Sequence, residues 1–401
     1  MTARKKTSRS KVSRGKASKG RAPRRSGAPE INPSFFASAH GWPYLLVPFI
    51  VIAIVLELNH AAPALVFAAS ALGVIPTAAL MGRATEELAA KSGPGLGGLL
   101  NVTFGNAPEL IIALFALAAG LHEVVKASLI GSILGNVLLV MGASMLFGGL
   151  KKGQSVQRFD RTAASAQSLM LLLALAALVM PAVYELVDGQ GLPAIGPDRI
   201  RYDSTVEGLS LVVAVVLIIT YVAGLLFSLK THKDLFNPHS DDAGHDSWGW
   251  SVRQSVIALA VAGIAVGGMS EILVGSISEA SEAIGISEFF VGVIIVAIVG
   301  NAAEHWVAVL FAIKNKMDLS VNISIGSSAQ IALFVAPVLV ICSFFIGPFP
   351  MPLVFNGFEI AAAILAILAA FQVTSEGESN WFEGAQLLAL YVVLAAVFFV
   401  A

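Results

Sequence analysis

Glu109 and Glu304 are the residues whose type and spacing could do chemistry. Each lies inside a long apolar run behind nearly the same prefix, Gly105-Asn106-Ala107-Pro108-Glu109 and Gly300-Asn301-Ala302-Ala303-Glu304. The offset is 195 residues, and it recurs between Gly97 and Gly292, Ala113 and Ala308, Gly131 and Gly326, and Ser132 and Ser327. An ionisable side chain at bilayer depth costs about 2.5–3.5 kcal/mol on insertion scales, so it marks function by default. One such acid could be a hydrogen-bonded packing residue. Two in matching positions of an internal repeat point to a transporter with its ion site at the repeat interface.

Two carboxylates offer up to four oxygens. Asn106, Asn301, Thr103, freed backbone carbonyls and water can supply more. No sulfur or imidazole cluster accompanies them. All-oxygen coordination suits Ca²⁺, with Mn²⁺ an alternative and Mg²⁺ less suited because it dehydrates reluctantly. The same pair can carry protons. With the site empty, two facing carboxylates in low dielectric cannot both stay charged. They take up protons and titrate as a unit. A dication replaces those protons and leaves the site neutral, which favours exchange over leak.

The elements that must position these acids are membrane helices. The chain has 401 residues, of which 56% are hydrophobic and 13% charged. That charged share is about half of a soluble protein's. Apolar runs long enough to span fall at 42–58, 62–82, 95–120, 123–148, 164–187, 205–229, 253–275, 287–313, 318–347, 351–373 and 381–400. Eleven of the 25 Lys and Arg lie between Arg4 and Arg25. With that tail inside and sides alternating, 22 positive charges fall inside and 3 outside, as the positive-inside rule requires. The C-terminus then lies outside.

Five spans separate the two motifs, so the copies cross in opposite directions. The expected fold is an all-α integral membrane protein of about eleven transmembrane helices, one leading helix plus two inverted five-helix repeats. Its segments are a basic disordered cytoplasmic tail at 1–30, the leading helix at 42–58, the first repeat at 62–229, a cytoplasmic linker at 230–250 and the second repeat at 251–401. Pro108 lacks an amide donor and should kink its helix. Gly105, Pro108 and Gly300 together suggest broken backbone at both motifs, which is tolerated at this depth only where it lines protein or a watery cavity.

The fourth and ninth spans carry a second pair of motifs. Gly131-Ser132-Ile133-Leu134-Gly135-Asn136 corresponds to Gly326-Ser327-Ser328-Ala329-Gln330. Their small residues let helices approach, and Asn136 and Gln330 can bond across helices. Ser132, Asn136, Ser327, Gln330 and Thr103 are therefore supporting candidates that hold the acidic ligands, or glue for helix packing. His305 follows Glu304 and has an ordinary pKa near neutrality, so it could assist proton movement; a packed histidine is the equal alternative. His232, His239 and His245 with Asp241, Asp242 and Asp246 match no standard metal spacing and read as a solvated linker. The tail reads as an orientation-setting extension rather than a nucleic-acid arm.

These residues resemble those of the calcium/proton exchanger family within the cation/calcium exchanger superfamily. The resemblance runs from about Gly82 to the C-terminus. It is carried by Ala84-Thr85-Glu86, by the run from Gly97 through Glu109 to Leu110, by Gly300-Asn301-Ala302-Ala303-Glu304-His305, and by Gly326-Ser327-Ser328-Ala329-Gln330. It implies eleven helices, the motif glutamates as the cation and proton site, and Ca²⁺ extrusion driven by protons. It also implies that Glu86 and Glu271, in the related pairs Thr85-Glu86 and Ser270-Glu271, guide ions at the cavity mouth. Glu87 reads as an ordinary interfacial charge. The sodium-coupled branch carries Ser or Thr where this chain has Asn106 and Asn301, which argues against sodium coupling.

The expected function is Ca²⁺/H⁺ antiport by alternating access. Ca²⁺ and H⁺ are substrates, the bilayer is the partner, and no cofactor is expected. Sodium- or potassium-coupled exchange is the alternative. A channel is less suited, because channels build rings from symmetric subunits or carbonyl filters. No His-Glu-x-x-His motif or nucleophile elbow suggests an enzyme. The expected location is a prokaryotic inner or plasma membrane, with the N-terminus cytoplasmic.

Overall fold

The computed structural model describes residue 38 and residues 41–151, 155–195, 202–231 and 248–401. The tail at 1–30 and the six His and Asp residues of the linker named above lie outside the described residues. Among the described residues nine helices are long and apolar enough to cross a membrane. They are α2 (Pro63–Lys91), α5 (His122–Leu150), α6 (Arg161–Val187), α7 (Ser204–Lys230), α8 (Val252–Ile284), α9 (Glu288–Ile313), α10 (Met317–Ser343), α11 (Gly357–Glu376) and α12 (Trp381–Val400). Shorter apolar helices supply two further crossings. One is the leading α1 (Trp42–Leu58). The other is split into α3 (Gly93–Phe104) and α4 (Ala107–Ala118).

The expected continuous third span is thus two helices. Pro108 has no N–H to donate to Phe104 one turn earlier, and its ring crowds that carbonyl. The chain turns at Gly105 and Asn106, and α4 starts afresh with Asn106 at its N-cap position. The second motif has Ala303 in the corresponding place. There Ala297–Ile313 is uninterrupted α-helix, so the break expected at Gly300 does not occur. The difference between the copies comes down to one proline.

The tenth span also departs from expectation. Pro348, Pro350 and Pro352 exclude helix, and α11 begins only at Gly357. The preceding Met351–Asn356 segment is non-helical and wholly buried. Buried backbone needs partners. Met351 N donates to Ser343 Oγ (2.9 Å), Leu353 N donates to Ser210 Oγ (3.0 Å), and Lys126 Nζ donates to the Val354 carbonyl (2.6 Å). Helices α2 and α8 run longer than read from hydropathy. Glu86 and Glu87 therefore stand in the last turns of α2.

Packing follows the inverted repeat. Helices α2 and α8, its two first members, form the most extensive contact in the molecule. α4 packs on α8 as α9 packs on α2, and α5 packs on α12 as α10 packs on α7. Each relation maps onto the other when the repeats are exchanged. Helix α5 is the most enclosed, with 83% of its apolar window buried against 22% for α7 and for α12, so the latter pair faces lipid. A short antiparallel pairing of β1 (Gln157–Arg158) with β2 (Glu378–Ser379) joins loops of the two repeats at one membrane face.

Close approach of α5 and α9 depends on glycine. A methyl at Gly131 would overlap the carbonyl oxygen of Val293, whereas one at Gly82 would meet nothing within 4 Å. Gly131→Ala should destabilise by about 1–3 kcal/mol or more, as overpacking does. Gly82→Ala should not. Thermal midpoints of the two purified variants in detergent will check this contrast.

Candidate ion site

Each motif presents its glutamate to the other motif's glycine. A Cβ built on Gly105 would lie 4.0 Å from Glu304 Oε1, and one on Gly300 would lie 3.4 Å from Glu109 Cγ. These are ordinary van der Waals separations, so each glutamate packs against the opposite repeat at the other motif's glycine. The break in the third span puts Glu109 in the first turn of α4, where the helix dipole favours negative charge. Glu304 instead sits within continuous helix. Both side chains are partly buried.

The two asparagines tie the repeats together. Asn106 Nδ2 donates to Gln330 Oε1 at 2.6 Å, from the first repeat to the second. Asn301 Nδ2 donates to Ser132 Oγ at 3.3 Å, from the second to the first, and also to the Ala297 carbonyl at 3.1 Å. His305 Nε2 pairs with Asn136 Oδ1 at 3.0 Å. Ser132, Asn136 and Gln330 thus orient amides and an imidazole rather than the carboxylates themselves. Ser327 is partly buried, and its backbone N–H donates to the Ile323 and Ser324 carbonyls within its own helix. Thr103 lies beside the Tyr221 phenol.

With both amide nitrogens engaged, the amide oxygens are left over. Asn106 Oδ1, Asn301 Oδ1 and Glu109 Oε2 are all buried without a hydrogen-bond partner. Such an oxygen costs about 1–3 kcal/mol to bury unmet. All three belong to the two motifs, and each is an oxygen that a hard cation, or a proton or water, would satisfy. Among the described residues no three His, Cys, Asp or Glu side chains converge, so any ligand set must draw on amide and backbone oxygens. A cavity with about 10 Å³ open to the centre of a water molecule adjoins Glu109, lined by Ile112, Ser128, Ser132, Val296 and Ala297. That is room for about one water. Ser128 was not legible from the motifs, since the residues flanking it carry no repeat signal.

The peripheral acids separate. Thr85 and Ser270 hydroxyls both bond back to their own helices, at Met81 O (2.9 Å) and Val266 O (2.7 Å). Glu86 is 39% exposed and ion-paired to Arg83. Glu271 is exposed on α8, with no hydrogen bond or ion pair to the site among the described residues. Glu87 is not an ordinary interfacial charge: it is 3% exposed and fully engaged, as described below.

Helices of opposite direction that meet at two acids, one of them at a helix break, define a secondary transporter for cations. The chain belongs to the sodium/calcium exchanger protein family, whose sequence pattern matches residues 62–230 and 254–400. It is 46% identical to the Ca²⁺/H⁺ antiporter ChaA of Bacillus subtilis over 86% of this chain and 94% of that protein. It is 44% identical to the Ca²⁺/H⁺ antiporter of Aphanothece halophytica, over 83% and 90% respectively. The solved structure of native YfkE superposes with a TM-score of 0.75 at 42% identity, covering 90% of this chain and all of that one.

The Asn106–Gln330 bond offers a direct check. Gln330→Leu leaves the Asn106 amide without its acceptor and should cost about 1–3 kcal/mol. Replacing both residues by Leu should restore most of the stability and none of the transport. Thermal midpoints and Ca²⁺ flux of the single and double variants will measure this.

Proposed function

We propose that the protein exchanges Ca²⁺ for H⁺ across a membrane by alternating access, with Glu109 and Glu304 carrying either load. The observation that carries this reading is the set of partnerless buried oxygens on Asn106, Asn301 and Glu109 beside two mutually facing glutamates. Their chemistry fits a hard dication. The relatives named Ca²⁺/H⁺ antiporters support protons as the counter-ion.

The role of each residue follows from its place. Glu109 and Glu304 bind the cation or the protons. Asn106 and Asn301 give amide oxygens, while Gln330 and Ser132 hold the amides in the orientation that exposes those oxygens. Asn136 holds His305. Glu86 stands at the mouth of the route to Glu304. The charge bias of the loops places the N-terminus and the Lys91 end of α2 in the cytoplasm and the C-terminus outside, in a prokaryotic inner membrane.

Both carboxylates charged, with no cation between them, is the state the bilayer disfavours. Reorientation therefore accompanies a loaded site. Ca²⁺ uptake into proteoliposomes should follow an imposed proton gradient in the absence of sodium. Uptake driven by a sodium gradient alone would establish the sodium-coupled alternative instead. Glu109→Gln and Glu304→Gln should each abolish exchange while the protein still inserts, because Gln keeps the volume and cannot supply a charge or release a proton.

Proton competition also has a sign. Acid protonates the carboxylates and displaces Ca²⁺, so apparent affinity rises with pH. If each Ca²⁺ displaces two protons, log affinity rises by about two per pH unit, and by about one if a single acid titrates. Binding to the purified protein between about pH 5 and 8 should give a slope between those limits. A slope near zero would remove the two-carboxylate mechanism.

A further inference from the structure

At the membrane face where α2 ends, one buried arginine is shared between two acids with different surroundings. Arg83 Nη1 lies 3.1 Å from Glu86 Oε2, and Arg83 Nη2 lies 3.0 Å from Glu87 Oε1. The Arg83 side chain is 5% exposed and that of Glu87 is 3%, against 39% for Glu86. Glu87 also receives the chain that enters α8. Trp248 N donates to its Oε1 at 2.6 Å and Trp250 N to its Oε2 at 3.3 Å. Gly249 between them has φ +71°, a conformation that glycine adopts without strain. It allows two amides, one residue apart, to turn toward a single carboxylate. The Trp248 ring covers the guanidinium, with 4.9 Å from its centroid to Cζ, and the Tyr44 ring of α1 lies 6.1 Å from it. A strap of three residues is thereby fastened to α2 and α1.

We propose that Arg83 is a positioning residue for cation uptake at this face: by dividing its guanidinium between Glu87 and Glu86, it lets the Trp248–Trp250 strap set how tightly the mouth carboxylate is held. This rests on the reading of Glu86 as the mouth acid. Guanidinium is suited to the task because its planar fork addresses two carboxylates at once, which an ammonium does not. While the strap is seated, Glu87 draws on one arm of the fork, and Glu86 keeps only the other. A cation arriving at the mouth then competes with a shared counter-ion. Releasing the strap takes two amide donors from Glu87, which then draws harder on the guanidinium and loosens the arginine's hold on Glu86. The strap joins α8 to α2, the two helices most closely packed on each other, so it reports their relative position to the mouth.

Two substitutions in this one cluster should act in opposite directions. Arg83→Gln removes the competitor from Glu86, so the Ca²⁺ KM at this face should fall. Glu87→Gln gives up the ion pair to the arginine and frees it for Glu86, so KM should rise. A half-exposed pair implies changes of about two- to fivefold, with kcat altered less than twofold. Everted membrane vesicles, which present this face to the bath, allow the measurement with Ca²⁺ alone. In a Glu86→Gln background both shifts should vanish. General damage would move both variants the same way, and that result, or shifts that persist without Glu86, would overturn the proposal. If Arg83→Gln does not insert, Glu87→Gln with and without Glu86→Gln decides the matter. If Glu86→Gln alone leaves KM unchanged, the mouth assignment fails, and the role of Arg83 fails with it.

Discussion

A carboxylate carried into the bilayer loses its hydration, and hydrocarbon offers nothing in return. The charge must then be cancelled by a cation, by a proton or by an ion pair. Everything central in this molecule answers that constraint. Each motif glutamate reaches the glycine of the opposite repeat, the neighbouring asparagines give their amide nitrogens to protein partners, and their oxygens have no protein donor.

The backbone obeys a parallel rule, because an unmet amide or carbonyl is also costly where water is absent. Where Pro108 breaks the third span, the interruption lies beside the carboxylates. Where prolines break the segment before α11, serine hydroxyls and the Lys126 ammonium take the place of helix bonds. The repeat is thus inexact in a specific way. One glutamate sits at a fresh helix start and adjoins a small cavity. The other rides on an unbroken helix. Two positions equivalent by sequence have been given different approaches.

Charges away from the centre follow the same logic at lower stakes. The buried side chains of Arg83 and Glu87 are mutually paired; Glu87 also accepts two main-chain amides, and the Trp248 ring covers the guanidinium. Such a cluster is weak as a source of stability but strict about geometry, since removing one member strands the other. It fastens the segment that enters α8 to the end of α2.

The residues alone determined the class of the protein and its helical, membrane-crossing architecture, and they singled out two acids inside apolar runs. A bilayer admits few backbone solutions, so apolar length, loop charge and a recurring offset carry most of the architecture. Glu109, Glu304 and their asparagines were legible because an acid in an apolar run has few explanations. Pro108 against Ala303 was visible as a difference between the copies, but only the tertiary structure decided that the second helix stays whole. Partner choice was also beyond the sequence. Gln330 serves Asn106, Ser132 serves Asn301, and Asn136 serves His305, because inverted helices bring together residues that no single-helix spacing relates. Glu87 read as an ordinary interfacial charge and Glu271 as a cavity-mouth acid. Burial beneath Trp248 and Trp250 made one an anchor, while α8 left the other exposed. Periodicity reports which residues share a helix; which side chains from distant helices meet is set by how those helices pack.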